Sequence, residues 1–241
     1  MNRLVIAALT TTLLLASCSG AGNGNPGPVE HGDGVVWNSP AVERWAAALG
    51  PGGYEAGVEA TSFTDPSQAL GAATASGSAV VSLGRGGRIT VDLQTPIADG
   101  GGAEFAVWEN GLINQSTGGL FAELAFVEVS SNGTDFARFP AGTSNTSAVG
   151  SFGNLDPEQY EGLAGLYPAG TGTAFDLAEL AEQDEVVDGS VDLSSVRYLR
   201  IVDLVGDGST LDAAGRPIFD PYPTTGTAGF DLDAVGVLAP Q

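Results

Sequence analysis

The chain has 241 residues and is strongly acidic, with 29 Asp and Glu residues against 8 Arg, no Lys and a formal net charge of −21. A surface of this sign repels nucleic acid and anionic lipid, which excludes nucleic acid as a partner. The single Cys excludes an intrachain disulfide.

The first residues have the pattern of a secretion signal. Arg3 supplies a positive start, and residues 4–15 form an apolar stretch that is too short to span a bilayer. The sequence LASC at residues 15–18 is similar to the bacterial lipobox, in which the cysteine becomes the lipidated first residue of the mature chain. We therefore expect a lipoprotein signal peptide over residues 1–17 and lipidation of Cys18. The alternative is an ordinary secretory signal with an incidental cysteine.

The next segment, residues 18–34, is rich in Gly, Asn, Pro and Ser and predicts a flexible tether. His31 lies in this tether, so we interpret it as incidental and not catalytic. The anchor predicts a place in the bacterial cell envelope. Ser19, where an inner-membrane retention signal would have Asp, favours the outer membrane or the cell surface. Residues 35–241 are then enough for one domain with a hydrophobic core.

Within that domain, short apolar runs alternate with clusters of Gly, Asp, Asn and Pro, which predicts an all-β fold. Asn132-Gly133 between two such runs predicts a β-hairpin. Two short peripheral helices are also expected, over Ser39–Leu49 with Ser39 as N-cap and over Asp176–Glu182 with an acidic cap. The candidate strands are Ala79–Leu83, Arg88–Leu93, Glu104–Trp108, Ala122–Ser130, Arg197–Asp203 and Gly229–Leu238.

Several segments carry a resemblance to known proteins. They are FTDPSQALG from Phe63, FVEVSSNGTDFARF from Phe126, VRYLRIVDL from Val196 and GFDLDAVGVL from Gly229. Together they resemble galactose-binding-like (discoidin-like) β-sandwich domains. With FAVWENG from Phe105 they resemble bacterial secreted proteins known as cell surface proteins. The resemblance implies a jelly-roll sandwich that binds a glycan or other small ligand, often with a structural Ca²⁺ between its first and last strands.

Asp231 and Asp233 lie two residues apart on the last predicted strand, so their carboxylates point to the same face. They repel unless a cation lies between them or each has its own hydrogen-bond donor. Oxygen ligands of this kind suit Ca²⁺. The resemblance implies partner ligands from the start of the domain, which are Glu59 and Asp65 here. In the alternative, one aspartate caps a turn and the other is solvated.

A second acidic cluster comprises Asp203, Asp207 and Asp212, and its spacing does not match a calcium-binding loop. Asp220, which follows in the long loop before the last strand, could complete either cluster.

A candidate ligand site lies at the end of the third predicted strand. Trp108, Glu109 and Asn110 combine an aromatic platform with hydrogen-bonding groups, as a sugar site requires, and Tyr222 from a later loop could join them. In the alternative, Trp108 belongs to the core and the two residues after it form a turn.

These patterns favour a non-catalytic binding lipoprotein over an enzyme. The predicted domain has no His or Cys, which excludes most acyl-transfer and zinc chemistry. Glu123 and Glu128 are five residues apart on one predicted strand and cannot act as a pair, although an acid-pair glycoside hydrolase that uses Glu109 is a minor alternative. A second binding hypothesis is a lipoprotein that captures cargo such as cobalamin for an outer-membrane transporter, as related gut-bacterial lipoproteins do.

Overall fold

The computed structural model describes residues 34–240. The expected signal peptide, the lipidation site Cys18 and His31 lie outside these residues. Within the described part of the chain, no helix has the length and apolarity that a membrane crossing needs.

Short strands account for most of the regular structure between residues 34 and 240. The strands are β1 (Val35–Val36), β2 (Val42–Trp45), β3 (Ala48–Glu55), β4 (Val81–Ser82), β5 (Arg88–Ile97), β6 (Phe105–Glu109), β7 (Leu112–Ile113), β8 (Leu120–Phe121), β9 (Ala125–Ser130), β10 (Ala137–Arg138), β11 (Gly142–Thr143), β12 (Tyr160–Glu161), β13 (Leu163–Ala164), β14 (Thr171–Phe175), β15 (Val196–Asp203), β16 (Asp207–Leu211), β17 (Pro217–Phe219) and β18 (Asp231–Leu238). The helical elements are α1 (Asp184–Val187) and the 3-10 helices Pro66–Ala69, Pro157–Gln159 and Leu177–Leu180.

Two antiparallel sheets form a sandwich. The first sheet has the order β1-β14-β6-β18-β2, with β4 also paired to β18, and the second has the order β10-β9-β15-β5-β3, with β13 also paired to β9. From β5 onward, the strands β5, β6, β9, β14, β15 and β18 alternate between the two sheets along the chain, as in a jelly roll. The prediction of an all-β sandwich with few helices is confirmed.

The main core lies between the two sheets and is centred on stacked aromatic rings. Phe105 and Phe175 stack with ring centroids 5.3 Å apart, and Phe139 meets Phe175 edge to face at 4.9 Å. The strands β6, β9 and β18 are buried along their whole length, because each has a neighbour on both sides and cover on both faces. Any polar side chain on these strands is therefore withdrawn from water.

The predicted helix over Ser39–Leu49 is wrong, because this segment forms β2 and the start of β3. β2 pairs with β18, and its Trp45 ring lies 4.8 Å from the ring of Trp108. Sheet pairing and the packing of a half-buried aromatic ring outweigh a local helix preference of a few tenths of a kcal/mol per residue. The second predicted helix is present as the 3-10 helix Leu177–Leu180, whose Asp176 cap accepts a hydrogen bond from the Ala178 amide.

Gly172 is expected to be intolerant of a side chain. A Cβ at this position would lie 2.6 Å from Cδ2 of the fully buried Trp108. We therefore expect Gly172→Ala to lower the free energy of unfolding by about 1–3 kcal/mol, as overpacking does in other cores.

Urea denaturation measures this effect. Gly150→Ala is the matched control, since a Cβ there meets nothing within 4 Å. Equal midpoints for the two variants would contradict the packing described for Trp108.

Candidate functional site

Five buried carboxylates gather at one end of the sandwich. We call this group the acidic seam; its members are Glu109, Glu123, Asp203, Asp220 and Asp231, each no more than 6% exposed. The strand pairing explains the convergence. The end of β6 meets the start of β18 in one sheet, and the end of β15 meets the start of β9 in the other, because both pairs are antiparallel.

Glu123 and Asp203 lie side by side in the seam. Glu123 Oε1 accepts hydrogen bonds from Thr224 Oγ1 at 2.6 Å and from the Gly229 amide at 3.0 Å. Asp203 Oδ1 accepts from the next amide, that of Phe230, at 2.7 Å. Consecutive amides of one chain segment thus bind both carboxylates, which places two acidic groups next to each other.

The other three carboxylates differ in how well they are satisfied. Asp220 Oδ2 accepts a hydrogen bond from the Leu124 amide at 2.9 Å. Asp231 accepts from the Ser82 hydroxyl and from Asn110 Nδ2, the latter at 3.0 Å. Glu109 Oε2 is buried and has no hydrogen-bond partner. An unsatisfied buried carboxylate oxygen is costly and calls for a physical explanation.

Burial raises the pKa of each seam carboxyl. The pKa of Glu123 rises to about 9, that of Asp203 to about 7 and that of Asp231 to about 6. The pKa of Glu109 is also raised, first by burial and then by the charges of Asp231 and Glu123. Among residues 34–240, the ion pairs of Arg side chains all involve other carboxylates. Within the described residues the seam carboxyls therefore have no paired cation, and burial favours their protonated, neutral form.

The structure places the four predicted calcium ligands in separate settings. Glu59 forms an ion pair with Arg85 at 2.9 Å, and Asp65 caps a 3-10 helix by accepting from the Ser67 amide. Asp233 accepts from the amides of Thr74 at 3.0 Å and Ala75 at 3.3 Å. No three of the four predicted carboxylates have oxygens within 4.8 Å of one another. Of this set, only Asp231 belongs to the seam.

The predicted ligand residues are also dispersed. Trp108 is fully buried and packs against Trp45, so its indole offers no face to a sugar, and this part of the prediction is corrected. Asn110 donates to Asp231 and to the Gly77 carbonyl, while Glu109 belongs to the seam. The Tyr222 ring lies 5.5 Å from the guanidinium of Arg85.

The second acidic cluster predicted from the sequence separates in the same way. Asp207 caps a turn by accepting from the Ser209 amide at 2.8 Å. Asp212 pairs with Arg216 and accepts from the Thr143 amide. Only Asp203 joins the seam, together with Asp220.

Three carboxylates outside the seam have oxygens within 4.8 Å of one another. They are Asp99, Glu104 and Asp176. Both oxygens of Glu104 accept backbone hydrogen bonds, from the Gly100 amide at 2.9 Å and the Leu177 amide at 2.8 Å. Asp176 caps the following 3-10 helix. These contacts give the group a structural role, and Asp99 is exposed to solvent.

A cleft of about 550 Å³ opens on another part of the surface, and we call it the Arg216 cleft. Its polar lining includes Glu161, Glu179 and Arg216, and its apolar lining includes Leu166 and Tyr167. Arg216 Nε donates to Asp212 Oδ2 at 2.7 Å, which fixes the guanidinium at the cleft. Glu179 reaches solvent at the mouth, yet partial desolvation raises its pKa, followed by the charges of Asp176 and Glu161.

A scan against protein-family models finds no match to the chain, and a search of curated proteins finds none. The class of protein is therefore inferred from the fold and the two candidate sites.

Thermal stability in the presence of EGTA is expected to fall as the pH rises from 5 to 9. The folded-state pKa values of about 9 for Glu123 and about 7 for Asp203 lie above the ordinary carboxyl values. Protons therefore bind the folded state more tightly, and the stability they contribute is lost as the pH rises through those values. Scanning calorimetry of the full chain across this range measures the slope.

Glu123→Gln removes the seam carboxyl whose pKa rises to about 9 and should flatten the slope between pH 7 and 9. Asp135→Asn, at an exposed turn position, should leave it unchanged. A midpoint that climbs with pH over this window would contradict the assignment.

Proposed function

We propose that the protein is a non-catalytic binding protein that takes a glycan or another hydroxyl-rich small molecule in the Arg216 cleft. The observation that carries this proposal is the composition of the cleft, where charged groups of both signs stand beside apolar side chains. A volume of about 550 Å³ falls within the range of small-molecule sites.

The chemistry of the lining suits hydroxyl groups. The Glu161 and Glu179 carboxylates can accept hydrogen bonds, and the Arg216 guanidinium has donors beyond the one held by Asp212. The half-buried Tyr167 offers aromatic surface for the C–H faces of a sugar ring. Binding through several hydrogen bonds and one apolar contact favours a neutral polar ligand over a strongly charged one.

The buried acids of the seam support a binding role over catalysis. Glycoside hydrolysis needs two carboxyl groups in contact with the scissile bond. Glu109 and Glu123 are 3% and 6% exposed, so a substrate does not reach them. Residues 34–240 also contain no His or Cys that could act as nucleophile or base.

One observation favours a second candidate function, an acid-pair hydrolase in the Arg216 cleft. Glu161 and Glu179 line the same cleft, and partial desolvation together with nearby negative charge raises the pKa of Glu179, as a general acid requires. Product analysis by mass spectrometry distinguishes the two functions. A binding protein leaves a bound oligosaccharide intact, whereas a hydrolase releases fragments and loses this activity in Glu179→Gln.

We further propose that the domain is held at the cell surface through a lipid on Cys18, which places the cleft where extracellular glycans reach it. This rests on the lipobox-like sequence at residues 15–18. Mass spectrometry of the protein isolated from its own cells tests it, since lipidation adds acyl mass at Cys18 and ordinary secretion does not.

Ala214→Trp is expected to weaken ligand binding. Ala214 is an exposed residue of the cleft lining, so an indole there would occupy the cleft without removing a core contact. A glycan array probed with the full chain identifies ligands, and calorimetric titration then compares the variant with the wild type. We expect at least about a tenfold loss of affinity, equivalent to about 1.4 kcal/mol.

Ala98→Trp is the matched control, because Ala98 is an exposed residue of a different cavity of about 270 Å³. Loss of binding in this control, with retention in the Ala214 variant, would place the ligand in the smaller cavity and contradict the proposal.

A further inference from the structure

The Arg216 cleft has an excess of negative charge. Its lining contains two carboxylates, Glu161 and Glu179, and one cationic side chain, Arg216. Arg216 is already in an ion pair with Asp212 at 2.7 Å, and the Asp212 side chain has no exposure to solvent. The positive charge of Arg216 is therefore balanced within the protein, whereas the charges of the two glutamates are not.

The two glutamates have no partner among the described residues. Neither carboxylate takes part in an ion pair or a side-chain hydrogen bond between residues 34 and 240. Partial desolvation raises the pKa of Glu179, and the charges of Asp176 and Glu161 raise it further, so both of these acids lie within electrostatic reach of Glu179. Like charges held together in this way favour a cation as their partner.

The fold places the Glu161 carboxylate inside the cleft. Glu161 on β12 pairs with Gly142 on β11, and both residues line the cleft. A Cβ at position 142 would overlap the Glu161 carboxylate, so the glycine leaves the room in which that carboxylate lies. Glu179 belongs to a different element, the 3-10 helix Leu177–Leu180. Two separate parts of the chain therefore bring their carboxylates to the same cleft.

We propose that the ligand of the Arg216 cleft carries a protonated amine, as an amino sugar does, and that Glu161 and Glu179 bind this amine. The inference rests on the proposed function, because it names the chemical class of the hydroxyl-rich molecule in the same cleft. An ammonium group has three N–H donors and one positive charge, so it can donate to both carboxylates and balance part of their charge. Hydroxyl groups of the same ligand can accept from those N–H groups of Arg216 that Asp212 does not use.

The charge of the lining disfavours other ligand classes. A carboxylated or phosphorylated sugar would bring negative charge next to two unpaired carboxylates. An N-acetylated sugar has no charge on its nitrogen and leaves both carboxylates unbalanced. A bare divalent cation needs several oxygen ligands, and among the described residues Glu161 and Glu179 belong to no group of three carboxylates with oxygens within 4.8 Å of one another.

Calorimetric titration of the full chain with two matched probes tests the proposal. The probes are the methyl glycosides of glucosamine and of N-acetylglucosamine, which share the sugar ring and differ in the charge on the nitrogen. The titration is done at about pH 6, below the pKa of an amine and above that of an ordinary carboxyl. We expect the glucosamine probe to bind at least about tenfold more tightly, because hydrogen bonds between charged groups contribute more than those between neutral groups. Its affinity should also fall as salt is added.

The outcomes separate this inference from the proposed function. Equal or tighter binding of the acetylated probe would overturn the inference and leave the proposed function in place. Failure of both probes to bind would also overturn the inference, and the glycan array would then decide on its own whether the cleft binds another hydroxyl-rich ligand.

Glu161→Gln and Glu179→Gln distinguish the role of charge from that of the fold. Each variant keeps the shape of the side chain and removes one unpaired charge, so its melting midpoint should not fall. Each should bind the glucosamine probe about tenfold more weakly than the wild type. Full affinity in both variants would contradict the proposal.

Glu182→Gln is the matched control. Glu182 is an exposed glutamate three residues after Glu179, and it does not line the cleft. This variant should keep the affinity of the wild type for the glucosamine probe. An equal loss of affinity in Glu182→Gln would show that only the overall negative charge attracts the amine, and it would overturn the assignment to the cleft.

Discussion

The structure depends on one electrostatic constraint: five carboxylates must be kept out of water at the end of a sandwich that offers them no paired arginine. Transfer of a charged group to such an environment is so costly that the group must be neutralised by a proton or a cation. Neutral backbone amides satisfy Asp203 and Asp220 in part, but they leave Glu109 Oε2 without a partner. The protonation state of this seam therefore affects the stability of the folded sandwich.

The strand topology explains why the seam carboxyls lie together and why much of the fold could be predicted from the sequence. Strand alternation predicted the β-rich sandwich, and the hairpin at Asn132 follows from its turn chemistry, since the Asn132 side chain accepts from the Thr134 and Asp135 amides. The helix predicted over Ser39–Leu49 is wrong because the residues at the two ends of this segment fit a helix locally, as a cap and a stop. Its strand conformation is imposed by β18, which lies almost 200 residues away in the sequence.

Only part of the candidate site could be predicted from the sequence. Asp231 was recognisable as an acid on an otherwise apolar strand, and it does lie in the seam. The sequence relates Glu123 only to Glu128, as two acids that cannot act as a pair, because the neighbours of Glu123 in space come from β6, β15 and the loop before β18. Its position inside the apolar run FAELAFVEV was a usable signal, since a strand that is buried on both faces withdraws its acids from water. Trp108 shows the opposite error, in which a residue suited to a ligand fills the core.

Neutron diffraction from deuterated crystals of the full chain, grown near pH 6, tests the central claim most directly. The account predicts deuterons on the carboxyls of Glu123 and Asp203, whose pKa values of about 9 and about 7 lie above that pH. Carboxylates without deuterons at both positions would contradict it.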